Sequence, residues 1–217
     1  MEQDPNAHPA SLWADLGRQI WSRNTPGGSC ASCHSEPEKM AGVAAKFPTL
    51  DPSTCAPRNL GDQIRRCRCR QKLTDEGPES ENVLALNAML VKLSAGMKVA
   101  PFILPGREKD LEVYRFASQA RYFKRMGCIN LSCAQCHDGA VGAKLRNDNV
   151  SPTYTKGFPI YRLELQGMGS IERRLRACYF GVQAAVPEPG SLVLRQLEIY
   201  LSEHARGMPL DGPALRR

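Results

Sequence analysis

The chain has 217 residues and a mass of 23.9 kDa, which lies between one average domain and two small ones. Its 42% hydrophobic and 24% charged residues predict a soluble globular protein with a buried core, and no apolar run reaches the length of about 18 residues needed to cross a membrane. The net charge of +7 suggests a nucleic-acid-binding protein, but the arginines form two clusters around cysteines instead of spreading over one face, so we expect no nucleic-acid partner.

The N-terminal segment has no basic start followed by an apolar stretch and is interrupted by Pro5 and Pro9. We therefore expect that any export sequence has been removed or was never present. The first predicted helix follows, because Leu12, Leu16 and Ile20 recur at helical spacing and form an apolar stripe. This helix leads into the first of two cysteine motifs.

Four of the nine cysteines belong to two copies of the motif C-x-x-C-H, the attachment sequence of c-type haem. In this motif the two thiols add to the vinyl groups of the haem, and the adjacent histidine binds the iron. The sequence therefore predicts two covalently bound haems c. The residues that would hold them are Cys30, Cys33 and His34 in the first copy and Cys133, Cys136 and His137 in the second.

Two other uses of such cysteines fit less well. A structural zinc site would need a second cysteine or histidine pair about 12 to 20 residues away, and neither copy has one. A thioredoxin-like redox pair would follow a strand in a βαβ unit, whereas the sequence around both copies predicts helix and loop. Two copies with matching surroundings favour haem attachment.

An internal repeat relates the two halves of the chain. Residues 47–97 recur at residues 158–208 with a constant offset of 111, and Cys67 thereby matches Cys178. The haem motifs match at an offset of 103, so the second unit has eight extra residues after its histidine. The repeat predicts a mainly α protein made by tandem duplication of two cytochrome c-like domains, each with a covalently bound haem.

Each unit has the same predicted order of helix, haem motif, loop, cysteine-bearing helix and closing helix. The closing helices are marked by apolar residues at helical spacing: Val83, Leu86, Leu90 and Leu93 in the first unit, and Leu194, Leu197 and Leu201 in the second. Residues 101–106, which contain two prolines and a glycine, separate the units. We therefore predict one domain at residues 1–100 with haem 1 and another at 101–217 with haem 2.

Cys67 and Cys178 occupy the position expected for the distal iron ligand, 33 residues after His34 and 41 residues after His137. A thiolate donates charge to iron and favours the ferric state, so we predict low reduction potentials for both haems. Cys69 remains an alternative to Cys67, because only the register of the repeat distinguishes them.

Other candidates for the sixth iron ligand are Met97, Met208, Met168 and His204. The first two follow the predicted closing helices, and each of the other two corresponds to a residue of another type in the first unit. Three cysteines have no assigned role, namely Cys55, Cys69 and Cys128. Two of them could form a disulfide, which would leave one free thiol.

The second unit resembles the SoxA family, the dihaem cytochrome subunits of the SoxAX complex of bacterial thiosulfate oxidation. The similar segments are residues 130–137, 157–159 and 170–178, and a looser resemblance extends over residues 11–209. The resemblance implies L-cysteine S-thiosulfotransferase activity, in which thiosulfate is joined oxidatively to a cysteine of the SoxYZ carrier protein and electrons leave through haem. It also implies a SoxX-type cytochrome c subunit as heterodimer partner, an electron-accepting cytochrome, and a periplasmic location.

The resemblance places the family's catalytic cysteine, which can carry an extra sulfur as a persulfide, at Cys178 and its active-site arginine at Arg174. Independently, Arg174 lies four residues before Cys178 on one helical face, where its guanidinium could hold the dianionic thiosulfate. Cys69 and Cys128 depart from the family pattern.

Two other functions remain open. One is a thiosulfate dehydrogenase, which forms tetrathionate from two thiosulfates without a carrier protein. The other is an electron-transfer cytochrome whose arginine clusters bind an acidic partner, and it predicts no thiosulfate-dependent reduction of haem.

Protein produced without haem attachment is expected to be largely disordered, because the apolar core of each small unit is too thin to be stable alone. Circular dichroism of such apoprotein during heating tests this expectation. A cooperative unfolding transition would contradict it.

Overall fold

The structure is a computed structural model that describes residues 9–73, 76–101, 103, 105–145 and 148–216. Two residues of the predicted join, 102 and 104, and the N-terminal residues 1–8 lie outside the described residues. None of the helices found in these ranges is both long and apolar enough to span a membrane.

The described chain is mainly helical, as predicted. The helices of the first half are α1 (Pro9–Ser22), α2 (Cys30–His34), α3 (Leu60–Arg70) and α4 (Glu81–Leu93). Those of the second half are α5 (Glu108–Phe123), α6 (Cys133–His137), α7 (Ile171–Gly181) and α8 (Leu192–His204). Short 3₁₀ helices lie at Pro37–Met40, Ala44–Lys46 and Leu163–Leu165.

Seven short strands connect these helices. Strands β1 (Thr49–Leu50) and β2 (Pro57–Arg58) form one antiparallel pair, and β3 (Lys144–Leu145) and β4 (Asp148–Asn149) form another. A three-stranded sheet has the order β6 (Gly167–Gly169), β5 (Ile160–Arg162), β7 (Ala214–Arg216), in which β5 is antiparallel to β6 and parallel to β7.

Helix α1 buries a face that differs in part from the one predicted. Ile20 is buried and Leu16 is partly buried against the core, as predicted, but Leu12 is exposed, and the centre of the buried face carries Ala10, Ala14 and Gly17. The reason is the close approach of α1 to α4: a Cβ atom at Gly17 would lie 2.3 Å from the carbonyl oxygen of Ala85. Small residues on this face allow the two helix backbones to touch.

The elements of the two halves correspond in length and register. Helices α3 and α7 both have 11 residues, α4 and α8 both have 13, and each pair starts at the offset of 111 found in the sequence. The apolar positions predicted for the closing helices are confirmed as buried, with Leu93 alone partly exposed.

Main-chain hydrogen bonds join the segments after the two closing helices in a reciprocal pattern. Gly96 N–H donates to Leu210 O, and the matching Gly207 N–H donates to Val99 O, both at 2.8 Å. The N–H of Val99 donates to Met208 O at 2.8 Å, and that of Leu210 donates to Met97 O at 2.9 Å. Each bond is thus repeated with the units exchanged, as at an interface between identical subunits.

The hydrophobic core also crosses between the halves. Ala205 and Leu210 pack in the main cluster formed by α1, α3 and α4, and Leu50 packs against Leu111 and Ile199 in a smaller cluster. Neither half therefore encloses its core by itself.

A buried polar network lies at the same junction. Asn59 donates to Glu198 from Nδ2 at 2.8 Å, and the guanidinium of Arg195 lies 3.8 Å from the same carboxylate. Burial raises the pKa of Glu198 to about 7, although Arg195 acts in the opposite direction. Glu198 therefore remains protonated in the folded protein at pH values where it is ionised in the unfolded chain.

Glu198→Gln is expected to stabilise the protein at pH 8 and to change little at pH 4. The raised pKa means that folding stability falls as the pH rises from the ordinary glutamate range through about 7, and glutamine removes this loss, on the order of 3 kcal/mol. Denaturant unfolding of the haem-containing protein at the two pH values measures the difference. An equal effect at both pH values would refute the expectation.

Candidate haem sites

Both cysteine motifs form a single helical turn that is fixed at its start by a serine. Ser29 accepts a hydrogen bond from Ser32 N–H at 3.1 Å, and Ser132 accepts one from Gln135 N–H at 3.2 Å. In each case the side chain of the third helical residue also accepts from the backbone N–H of the capping serine, which completes a capping box. The turn sets the two cysteines of each motif three residues apart on one side of a helix.

In the second half, the structure brings Cys178 of α7 close to the cysteines of α6. Burial raises the pKa of the Cys133 thiol to about 11, and the nearby Cys178 raises it further. Burial also raises the pKa of Cys178, while the neighbouring guanidinium groups of Arg174 and Arg162 lower it. Cys178 therefore lies near the cysteines of α6 and beside the positive charges of Arg174 and Arg162.

His137 is oriented by a hydrogen bond from its own ring. Its Nδ1 lies 2.6 Å from the carbonyl oxygen of Ser151, which can only accept, so Nδ1 carries the proton. The other ring nitrogen, Nε2, is then left as the metal-binding atom. Tyr122 fixes the following residue, since its hydroxyl donates to Asp138 Oδ1 at 2.7 Å.

In the first half, Cys67 of α3 lies close to Cys30 of α2. Burial raises the pKa of Cys30, and the Cys67 thiol adds to this effect. Gln63 donates from Nε2 to Cys67 Sγ at 3.2 Å, which holds the sulfur in place. Cys69 is exposed, so the geometry favours Cys67 over Cys69 as the thiol that faces the first motif.

The environment of His34 differs from that of His137. His34 is exposed and lies beside Trp21, with ring centroids 5.7 Å apart. Trp21 in turn donates from Nε1 to the carbonyl oxygen of Ser35 at 2.8 Å and so fixes the residue after the histidine.

The residues at both positions fit a covalently attached haem. Each position supplies two thiols for the vinyl groups, a histidine next to them, and a third thiol from a facing helix that could bind the opposite side of the iron. Zinc fits less well, since no three His, Cys, Asp or Glu side chains within the described ranges converge as a closed metal site requires.

Sequence reasoning found Arg174 but missed Arg162. The structure places both beside Cys178, whereas the matching residues of the first unit are Gln63 and Asp51. Comparison of the two units outside the helices would have indicated Arg162, because an arginine there replaces an aspartate.

The other candidate ligands lie elsewhere. Met168 is only 2% exposed and packs in an apolar cluster with Leu84 and Ala88. His204 is exposed, and its Nδ1 lies 3.3 Å from Thr153 Oγ1. Met97 is 42% exposed and lies beside Gly42, and Met208 is partly exposed.

None of the three unassigned cysteines forms the disulfide considered above: Cys69 and Cys128 are exposed thiols, and Cys55 is a partly buried one.

Comparison with known proteins identifies the family. The family described as SoxA/TsdA, cytochrome c domain matches residues 16–99. The L-cysteine S-thiosulfotransferase subunit SoxA of Pseudaminobacter salicylatoxidans is 31% identical over 220 residues, which cover all of this chain and 76% of that protein. The chain belongs to the SoxA family. The SoxA subunit of Paracoccus pantotrophus is 30% identical and is covered over 74% of its length.

A solved structure agrees with this assignment. The crystal structure of SoxXA from P. pantotrophus matches 98% of this chain and 80% of that chain with a TM-score of 0.90 and 30% identity. The chain is therefore a c-type cytochrome of the Sox system with covalently bound haem c, and an L-cysteine S-thiosulfotransferase subunit that acts in thiosulfate oxidation.

Cys67→Ala is expected to abolish thiolate ligation at the first site, because no other buried thiol of the described chain faces Cys30. Cys69→Ala serves as the matched control, since Cys69 lies on the same helix but is exposed. Electron paramagnetic resonance of the purified ferric proteins distinguishes the two variants. Loss of the thiolate signal in Cys69→Ala, with the signal kept in Cys67→Ala, would identify Cys69 as the ligand instead.

Proposed function

We propose that this chain joins thiosulfate to a cysteine of a SoxYZ-type carrier protein at its second haem site. A sulfur–sulfur bond forms between the outer sulfur of thiosulfate and the carrier sulfur, the carrier thiol loses its proton, and two electrons leave. The supporting observation is the charge around Cys178, where the guanidinium groups of Arg174 and Arg162 lie close enough to lower the pKa of the thiol and could bind a dianion, with Arg162 also paired to Glu164 at 3.1 Å.

The first site has its positive charge elsewhere: Arg68 lies near Cys30 and lowers its pKa, but the positions that match Arg174 and Arg162 are Gln63 and Asp51. Gln63 is neutral, and Asp51 is negative, although hydrogen bonds from Ser53 and the neighbouring Arg58 hold the pKa of its carboxyl group well below the ordinary value. The two units therefore differ at the positions nearest the facing thiol, where the second unit has two arginines and the first has a neutral glutamine and an ion-paired aspartate. On this basis we assign catalysis to Cys178 and Arg174, with Arg162 as a second anion-binding group.

The proposal includes two haems in two duplicated cytochrome c-like domains, at residues 1–100 and 101–217. Its support is the equal length of the matching helices, the reciprocal main-chain hydrogen bonds, and the facing thiol at each motif. Haem 1 would be held by Cys30 and Cys33 with His34 and Cys67 on the iron. Haem 2 would be held by Cys133 and Cys136 with His137 and Cys178 on the iron.

Each group of the second site has a distinct role. The bound haem supplies a one-electron acceptor of low potential. Arg174 and Arg162 would hold the thiosulfate oxygens beside the partly buried Cys178. Cys178 would act on the substrate either after leaving the iron or through an additional sulfur bound to it as a persulfide.

A haem held by Cys30, Cys33, His34 and Cys67 would accept electrons from the second site one at a time, and a SoxX-type cytochrome subunit would pass them to an acceptor cytochrome. The partner is supported by the similarity to the chain in the SoxXA crystal structure. A periplasmic location follows from the chemistry of haem attachment to C-x-x-C-H motifs, which occurs outside the bacterial cytoplasm.

Arg174→Gln, which introduces the residue that the first unit has at this position, is expected to reduce thiosulfate-dependent turnover about 10- to 100-fold with a raised KM, because a charged hydrogen bond to the anion is lost. The assay contains thiosulfate, a SoxYZ-type carrier and an acceptor cytochrome, and mass spectrometry of the carrier identifies the product.

Arg173→Gln is the matched control, because Arg173 is the adjacent exposed arginine and donates to Met168 O at 3.3 Å instead. Equal turnover of the two variants would refute the role of Arg174. Tetrathionate formed without carrier would indicate a thiosulfate dehydrogenase, and a lack of thiosulfate-dependent haem reduction would indicate an electron carrier.

A further inference from the structure

Arg195 of α8 is a buried charge at the junction of the two units, with 4% of its surface exposed. Its guanidinium is surrounded by carboxylates from three helices: Asp62 of α3, Glu172 of α7 and Glu198 of its own helix. A buried cation offsets the cost of its desolvation only where its partners hold it in good hydrogen-bonding geometry.

The contacts of Arg195 are directional. Nε and Nη2 donate to Asp62 Oδ2 and Oδ1 at 2.6 and 2.8 Å in a bidentate pair, and Nη1 donates to Glu172 Oε2. The second oxygen of Glu172 accepts from Gly190 N–H at 2.6 Å. Two parallel hydrogen bonds in one plane resist both sliding and rotation of α3 relative to α8.

The two helices joined by Arg195 carry the two facing thiols. Asp62 lies five residues before Cys67 on α3, and Glu172 lies six residues before Cys178 on α7. A single guanidinium therefore links the start of both cysteine-bearing helices.

The internal repeat does not duplicate this arrangement. The residues that match Arg195, Glu172 and Asp62 in the other unit are Leu84, Gly61 and Arg173. The network is thus specific to the contact between the units and is not a structural feature of each unit.

We propose that Arg195 is a positioning residue that sets the distance between Cys67 and Cys178 and each cysteine's placement against its own site. This inference rests on the proposed dihaem function. Asp62 is the connection to the first site and Glu172 the connection to the second, so the two connections can be removed separately.

The test uses three variants of the haem-containing protein: Asp62→Asn, Glu172→Gln and Arg195→Met. Electron paramagnetic resonance and redox titration of the ferric protein report the thiolate-bound iron at each site. We expect Asp62→Asn to shift the spectrum and potential of the first site only, Glu172→Gln those of the second only, and Arg195→Met those of both. If Arg195→Met does not fold, Asp62→Asn and Glu172→Gln alone test the role of Arg195.

Arg206→Met is the control, because Arg206 forms an exposed ion pair with Glu203 and contacts neither cysteine-bearing helix. It is expected to shift neither site. Unshifted spectra in Asp62→Asn and Glu172→Gln, or equal shifts of both sites in each, would overturn the role of Arg195.

The mass of the intact wild-type protein is measured first. Fewer than two attached haems would overturn the dihaem proposal and this inference with it. Two haems with unshifted spectra in the variants would overturn only the role of Arg195.

Discussion

The reciprocal contact between the two halves is the constraint on which the rest of the molecule depends. Four main-chain hydrogen bonds and shared apolar clusters join segments that follow α4 and α8, so neither half completes its core without the other. Main-chain bonds of this kind do not depend on side-chain identity. They therefore fix the position of one half relative to the other, even though the side chains of the two sites differ.

The difference between the two sites follows from a few substitutions on a common backbone. Gln63 and Asp51 in the first unit are replaced by Arg174 and Arg162 in the second, which adds two positive charges beside Cys178. The thiols and histidines of the motifs remain. We propose that these added charges attract the anionic substrate to the second unit.

The sequence allowed prediction of the motifs, the cysteine-bearing helices and the closing helices, because repeat register and helical periodicity are local properties. It gave only part of the buried face of α1, because the close approach to α4 at Gly17 is decided by another helix. Arg162 was also missed, although comparison of the two units indicates it. Arg195 and Glu198 were missed because their environments arise from contacts between residues distant in the sequence, and no local pattern marks such residues.

The extra residues of the second unit have an electronic consequence. They lie in the segment between His137 and residue 158, which contains the pair of strands β3 and β4 and Ser151, whose carbonyl oxygen accepts from the His137 ring. An imidazole that donates in this way becomes a stronger base. A longer loop in one copy of a repeat thus changes the basicity of a histidine without any change in the histidine itself.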